Sequence, residues 1–215
     1  MAKTAKRKSA KKTTKAKTAK SAGRGNGSMR KSGGRSASSG GRDPMAIQLL
    51  KQDHRTVEDL FEEFEEAKRP ADKRAIAKEI CMELTIHSMI EEEIFYPAVK
   101  DVVDEEIYGE AHVEHDGAKV LIAEIMASDP SDEFYDARVK VLSEMIKHHV
   151  KEEEQRDGMF AQAKSKGKDL DFDEIGEQLQ TRKEDLMRLM QRNGIPAPEA
   201  RTMHGAKVKL GQPYA

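Results

Sequence analysis

The sequence predicts an all-α protein, an up-down-up-down antiparallel four-helix bundle with an extra C-terminal helix. Three observations carry this. Apolar residues recur at steps of three and four over four long segments. Short turns rich in Pro, Ser and Asp separate them, which makes consecutive helices antiparallel neighbours. Charged residues reach 36% and aromatics only 5%, with no Trp, a balance that suits an aliphatic bundle core better than an all-β domain.

The chain begins with a composition unlike the rest. Residues 1–42 hold nine Lys and five Arg and no acid, a charge of about +14, and the remaining residues carry about −15. The formal net charge of −1 therefore describes neither part. The basic stretch has too few apolar side chains to offset its ordering entropy and is expected to be disordered. It reads either as a solubilising tail or as an arm for non-specific binding of the DNA or RNA backbone through counterion release. Having no aromatics, it cannot read bases.

Asp43-Pro44 opens the folded part as N-cap and first helical residue. The first helix is expected over about 44–68, with Ile47, Leu50, His54, Val57, Phe61 and Phe64 inward, and Arg69-Pro70 ends it. The second, about 71–99, aligns Ile76, Ile80, Leu84, His87, Glu91, Ile94 and Ala98, and is limited by Pro97. The third, about 105–128, buries Ala111, Ala118, Ile122 and Ile125 and carries His112 and His115. Ser128-Asp129-Pro130-Ser131-Asp132 is a turn and cap. The fourth starts near 132 and is expected to run past 160, with Tyr135, Val139, Leu142, Ile146, His149 and Glu153 inward. A further amphipathic helix, about 173–192, shows Ile175, Leu179, Leu186, Leu189 and Met190, and Asn193-Gly194 stops it. The domains are thus a basic tail at 1–42, the bundle at 43–167, a short additional helix at 168–193 and an irregular tail at 194–215.

The inward stripes contain residues that do not belong in an aliphatic core. A carboxylate on a core face costs several kcal/mol unless it is paired or bound to a cation. Each of the four bundle helices sends a histidine inward, and two of them place a glutamate four residues later, one turn on along the same face. A transition metal satisfies such a set, since neutral imidazole suits iron, copper or zinc and a carboxylate can bridge two cations. On the fourth helix both His148 with Glu152 and His149 with Glu153 have the spacing, and the Leu142–Ile146–His149 seam favours the second pair.

The segments Leu50-Lys51-Gln52-Asp53-His54, His87-x3-Glu91 through Phe95-Tyr96-Pro97, Glu114-His115 and His149-x3-Glu153 resemble the hemerythrin-like, His-His-Glu cation-binding family over roughly residues 44–165. The resemblance implies a cofactor of two iron ions, non-haem and oxygen-bridged, held by His54, His87, Glu91, His115, His149 and Glu153, with Glu91 and Glu153 bridging. Oxygen-carrying hemerythrins place two histidines four apart on the third helix. Here His112 and His115 are three apart, which leaves His112 open as a ligand, as His148 and Glu152 remain open on the fourth. Glu92 and Glu93 are expected to be solvated. The fourth helix also lacks the family's Phe-Pro ending, and Gln155-Arg156-Asp157-Gly158-Met159-Phe160 reads as a short insertion.

Ferritin-like carboxylate chemistry needs Glu-x-x-His on two helices, and no histidine of the bundle has glutamate three residues before it. No nucleophile with its base and no phosphate loop is present. The partner that the family resemblance implies is O2 or a related small oxidant, peroxide or nitric oxide. The alternatives are an oxidative-stress protein tethered to nucleic acid by its basic tail, which would be nucleoid-associated, and an iron-storage or buffering bundle. Cys81, alone in the sequence, excludes an intramolecular disulfide and fits a reducing cytoplasm. No apolar run approaches the length of a membrane span.

Overall fold

The computed structural model describes residues 42–201 and 207–209. The basic tail expected to be disordered, residues 1–42, lies outside that range except for Arg42, whose Nε donates to Gln48 Oε1 at 3.0 Å. The helices are α1 (Met45–Glu66), α2 (Pro70–Ile90), a π-helical turn (Glu91–Phe95), α3 (Tyr96–Val99), α4 (Glu105–Ala127), α5 (Tyr135–Glu154), α6 (Met159–Lys166) and α7 (Phe172–Asn193). A two-stranded antiparallel ribbon follows, β1 (Glu199–Arg201) with β2 (Lys207–Lys209). The segment expected as an irregular tail thus pairs with itself. Three residues per strand are too few for a period-two pattern to show. No helix among the described residues is long and apolar enough to cross a membrane.

The four-helix bundle is as expected, built from α1, α2 with its π-helical and α3 continuation, α4 and α5. Two apolar clusters establish the antiparallel order. One joins the start of α1 (Ala46, Ile47, Leu50) to the end of α2 and to α3 (Ile86, Ile90, Val99). The other joins the end of α1 (Val57, Phe61, Phe64) to the start of α2 (Ala77, Ile80), the end of α4 (Ile122, Ile125) and the start of α5 (Tyr135, Val139). Between the clusters lies a layer of buried polar residues containing His54, His87, Glu91, His115, His149 and Glu153.

Two departures from the predicted helices shape that layer. Of the predicted stripe of the second helix, Ile76 is only partly buried, and the run from Ile80 holds as far as Glu91, where a wider π-helical turn adds a residue and shifts the inward face by one position. Ile94 and Ala98 are consequently only partly buried, while Phe95, Tyr96 and Val99 have no exposed surface. The fourth predicted helix is two helices. Its first part ends at Glu154, just after the site residues, and the chain turns through Gly158 into α6. A Cβ at Gly158 would stand 2.1 Å from the Glu152 carbonyl oxygen, so only glycine permits this return. The turn brings Phe160 back over the site, stacked on His54 with 5.9 Å between ring centroids and edge-on to Phe95.

At the N-terminus of α1 the cap is Pro44, one residue later than expected. The Asp43 carboxylate is engaged instead by Lys51 at 2.8 Å and Lys164 at 2.5 Å. The Asp171 side chain caps α7, accepting from the backbone N–H of Asp173 and Glu174. Gly194, with φ of 78°, stops it. α7 buries Ile175, Leu179, Leu186 and Met190, while Leu189 stays half exposed.

Candidate metal centre

The side chains of the polar layer converge as two linked sets. Ligand atoms of His54, His87, Glu91 and Glu153 lie within 4.8 Å of one another, and so do those of Glu91, His115 and His149. The Nε2 atoms of His54 and His87 are 3.2 Å apart, as are those of His115 and His149. Glu91 Oε2 stands 3.2 Å from His87 Nε2 and 3.4 Å from His115 Nε2. Glu153 Oε2 stands 3.3 Å from His54 Nε2 and 3.6 Å from His149 Nε2. Each carboxylate therefore faces one histidine of each set. With metal–nitrogen and metal–oxygen bonds of about 2.0–2.2 Å, neighbouring ligands around one ion stand roughly 3–3.5 Å apart. The observed spacings fit that figure. Glu91 Oε1 and Glu153 Oε2 are buried without a hydrogen-bond partner, and a cation would satisfy both.

A second ring of carboxylates holds the imidazoles from behind. His54 Nδ1 donates to Glu154 Oε1 at 2.7 Å, His115 Nδ1 to Glu92 Oε1 at 3.1 Å, and His149 Nδ1 to Glu114 Oε2 at 2.8 Å. His87 Nδ1 faces Asp53 Oδ2 at 3.6 Å. The three hydrogen-bonded pairs fix the tautomer that leaves Nε2 free for a metal, whereas His87 Nδ1 has no hydrogen-bond partner. Sequence reasoning missed this ring. Asp53 and Glu114 directly precede His54 and His115 in the chain, and Glu92 directly follows Glu91. Glu92, expected to be solvated, is part-buried between His115 and Lys119; Glu93, which pairs with Arg182, is exposed as expected.

Tyr96 was missed for a different reason. The π-helical turn brings it inward five residues after Glu91, a spacing that no regular α-helical stripe contains. Its hydroxyl donates to Glu153 Oε1 at 3.0 Å and lies 3.3 Å from Glu91 Oε2 and 3.2 Å from His115 Nε2. His112 packs edge-on against Tyr96 and Tyr108 and belongs to neither buried set. His148 and Glu152 point outward and gather with Glu114 into a separate group at the surface.

On the other side of the histidine layer from Tyr96 lies a cavity of about 20 Å³. All four histidines line it, and aliphatic side chains including Leu84, Ile122 and Ile146 face them.

Opposite charges govern the layer's electrostatics. Burial pushes the His87 imidazole down, but Glu91 and Asp53 outweigh it and bring its pKa up to about 10. Burial likewise opposes protonation of His115, and Glu91 and Glu92 raise it to about 8. Desolvation pushes Glu91 up, yet His87 and His115 hold it well below the usual carboxylate range. For Tyr96, burial and then Glu153 and Glu91 drive the phenol well above its ordinary value, so the hydroxyl keeps its proton.

Fold and site together define a helical-bundle metal-binding protein. The sequence matches the family described as Hemerythrin HHE cation binding domain over residues 45–161, and the chain belongs to that family. A crystal structure of a Hemerythrin HHE cation binding domain-containing protein from Mycobacterium kansasii is similar, with a TM-score of 0.60 and 25% identity, covering 69% of this chain and 93% of that one. A curated relative, a DNA nickase from Nostoc sp., is 31% identical over 106 residues, or 49% of this chain and 30% of the relative. The chain thus aligns to less than a third of that protein's length.

A cation competes with protons for the imidazole Nε2 atoms. With folded pKa values near 10 and 8, His87 and His115 are protonated at neutral pH in the metal-free protein. Metal binding is therefore expected to release protons, and affinity to fall by about tenfold or more per pH unit below neutrality. Calorimetric titration with Co2+ in buffers of different ionisation enthalpy measures this. Heats independent of the buffer would contradict it.

Proposed function

We propose that this chain is a non-haem di-iron protein that binds or senses O2 or a related small oxidant inside the bundle. The observation that carries the reading is the small cavity on the histidine layer. A space of about 20 Å³ takes a water-sized or diatomic molecule and no organic substrate. His54 and His87 would hold one iron and His115 and His149 the other, with Glu91 and Glu153 shared. The mixed imidazole and carboxylate set suits iron, and the doubly facing carboxylates favour two ions over one. Bound iron supplies the capacity to bind a diatomic or peroxide ligand and exchange electrons with it.

The protein's own groups supply the surroundings. The outer carboxylates orient the imidazoles, and aliphatic side chains line the cavity together with Asp53, Ser88 and Lys119. Tyr96 holds a proton 3.0 Å from Glu153 Oε1, within reach of any group that accumulates negative charge in the layer. The stacked Phe160 ring covers His54. The reading predicts two irons per chain and an optical band that changes between anaerobic and aerobic protein. His87→Ala is expected to abolish the band and cost one or both irons. Fewer than two irons with no oxygen-dependent spectrum would overturn the reading, and metal analysis with spectroscopy decides it.

A second reading concerns partners. The basic stretch at residues 1–42 has about +14 charge and no acid, and the relative named above is a DNA nickase. We propose that this stretch tethers the metal domain to nucleic acid through phosphate contacts. Full-length protein should bind duplex DNA with an affinity that drops by several orders of magnitude between about 50 and 200 mM salt. Deleting residues 1–42 should remove that binding. Equal binding by both forms would contradict the tether.

A further inference from the structure

Each of the four buried histidines has a carboxylate behind it, and three of those carboxylates have a permanent cation behind them in turn. Glu154 is paired with Arg55, Glu92 with Lys119 at 2.6 Å, and Asp53 with Lys183 at 2.5 Å. The fourth carboxylate, Glu114, differs. Among the described residues no lysine or arginine lies within 4.0 Å of it. The place is taken by His148, whose Nε2 stands 3.5 Å from Glu114 Oε1 and 3.1 Å from Glu152 Oε1.

We infer that His148, Glu114 and Glu152 form a surface site for a divalent transition-metal cation, which does at this corner what Arg55, Lys119 and Lys183 do at the others. Ligand atoms of the three residues lie within 4.8 Å of one another, and the two nitrogen–oxygen spacings are those of ligands around a single ion. The mixed imidazole and carboxylate set takes a first-row divalent cation, borderline Fe2+ or Zn2+ through the imidazole and the carboxylates or harder Mn2+ chiefly through the carboxylates. The ligands come from two packed helices, with His148 and Glu152 one turn apart on α5 and Glu114 on α4. Accessibility distinguishes this site from the buried layer. The His148 side chain is 61% exposed, so water can complete the coordination.

Glu114 joins the two sites. Its Oε2 accepts from His149 Nδ1 at 2.8 Å while Oε1 faces His148. A cation outside would neutralise the carboxylate that positions an inner ligand, as a lysine or arginine does elsewhere in the ring. The alternation arises on α5 from two consecutive His-x3-Glu pairs, offset by one residue, so that one faces inward and the other outward.

The test uses the full chain after iron loading, titrated with Mn2+ and followed by the electron paramagnetic resonance signal of free Mn2+. Wild-type protein should remove one Mn2+ per chain from solution. Glu152→Gln and His148→Ala should each weaken that uptake by at least about tenfold, and Glu152→Gln should leave the iron content unchanged, since its side chain pairs with His148 at the surface. Equal Mn2+ uptake by wild type and both variants, or no uptake by wild type, would overturn the site. Should the buried layer take no iron and bind Mn2+ itself, the di-iron reading fails. The difference between wild type and variants still counts the surface site.

Discussion

Glu91 and Glu153 meet in the middle of an aliphatic bundle, each at 1% exposure or less. Two carboxylates in such a place are unstable by several kcal/mol unless positive charge comes with them. Much of the surrounding structure answers that constraint. Four imidazoles supply part of the charge, and their spacing leaves room for cations to supply the rest. The oxygen without a hydrogen-bond partner on each carboxylate marks where the protein's own atoms fall short.

The answer is concentric. Inner carboxylates face imidazole Nε2 atoms, imidazole Nδ1 atoms face outer carboxylates, and the outer carboxylates face lysine, arginine or, at one corner, His148. Alternating charge from the centre outward lets a strongly polar layer sit between two apolar clusters. It also restricts motion, because each imidazole is held through Nδ1 or by packing. α7 lies outside the matched family region, yet it contributes Lys183 to this arrangement. The additional helix thus contributes to the charge balance as well as to apolar packing.

The helical stripes made much of this legible in advance. Ile47 to Phe64, Ile80 to Glu91 and Tyr135 to Glu153 bury along the expected faces, and the choice of His149 over His148 for the inner layer followed from the seam together with the family pattern. What the stripes could not reveal lies where the helix departs from its period. The π-helical turn rotates Tyr96 inward, and the Gly158 turn folds Phe160 over His54. Both depend on local backbone geometry that apolar spacing does not encode. The outer carboxylates escaped notice because acidic residues beside histidines read as solvated surface unless the tertiary structure brings another helix against them.

The central claim is that the buried layer is one centre for two metal ions with shared carboxylates. Anomalous diffraction at the iron edge, from crystals of the iron-loaded full chain, tests it most directly. The account predicts two peaks inside the bundle, one beside His54 and His87 and one beside His115 and His149, with Glu91 and Glu153 between them. A single peak, or peaks only outside the layer, would contradict it.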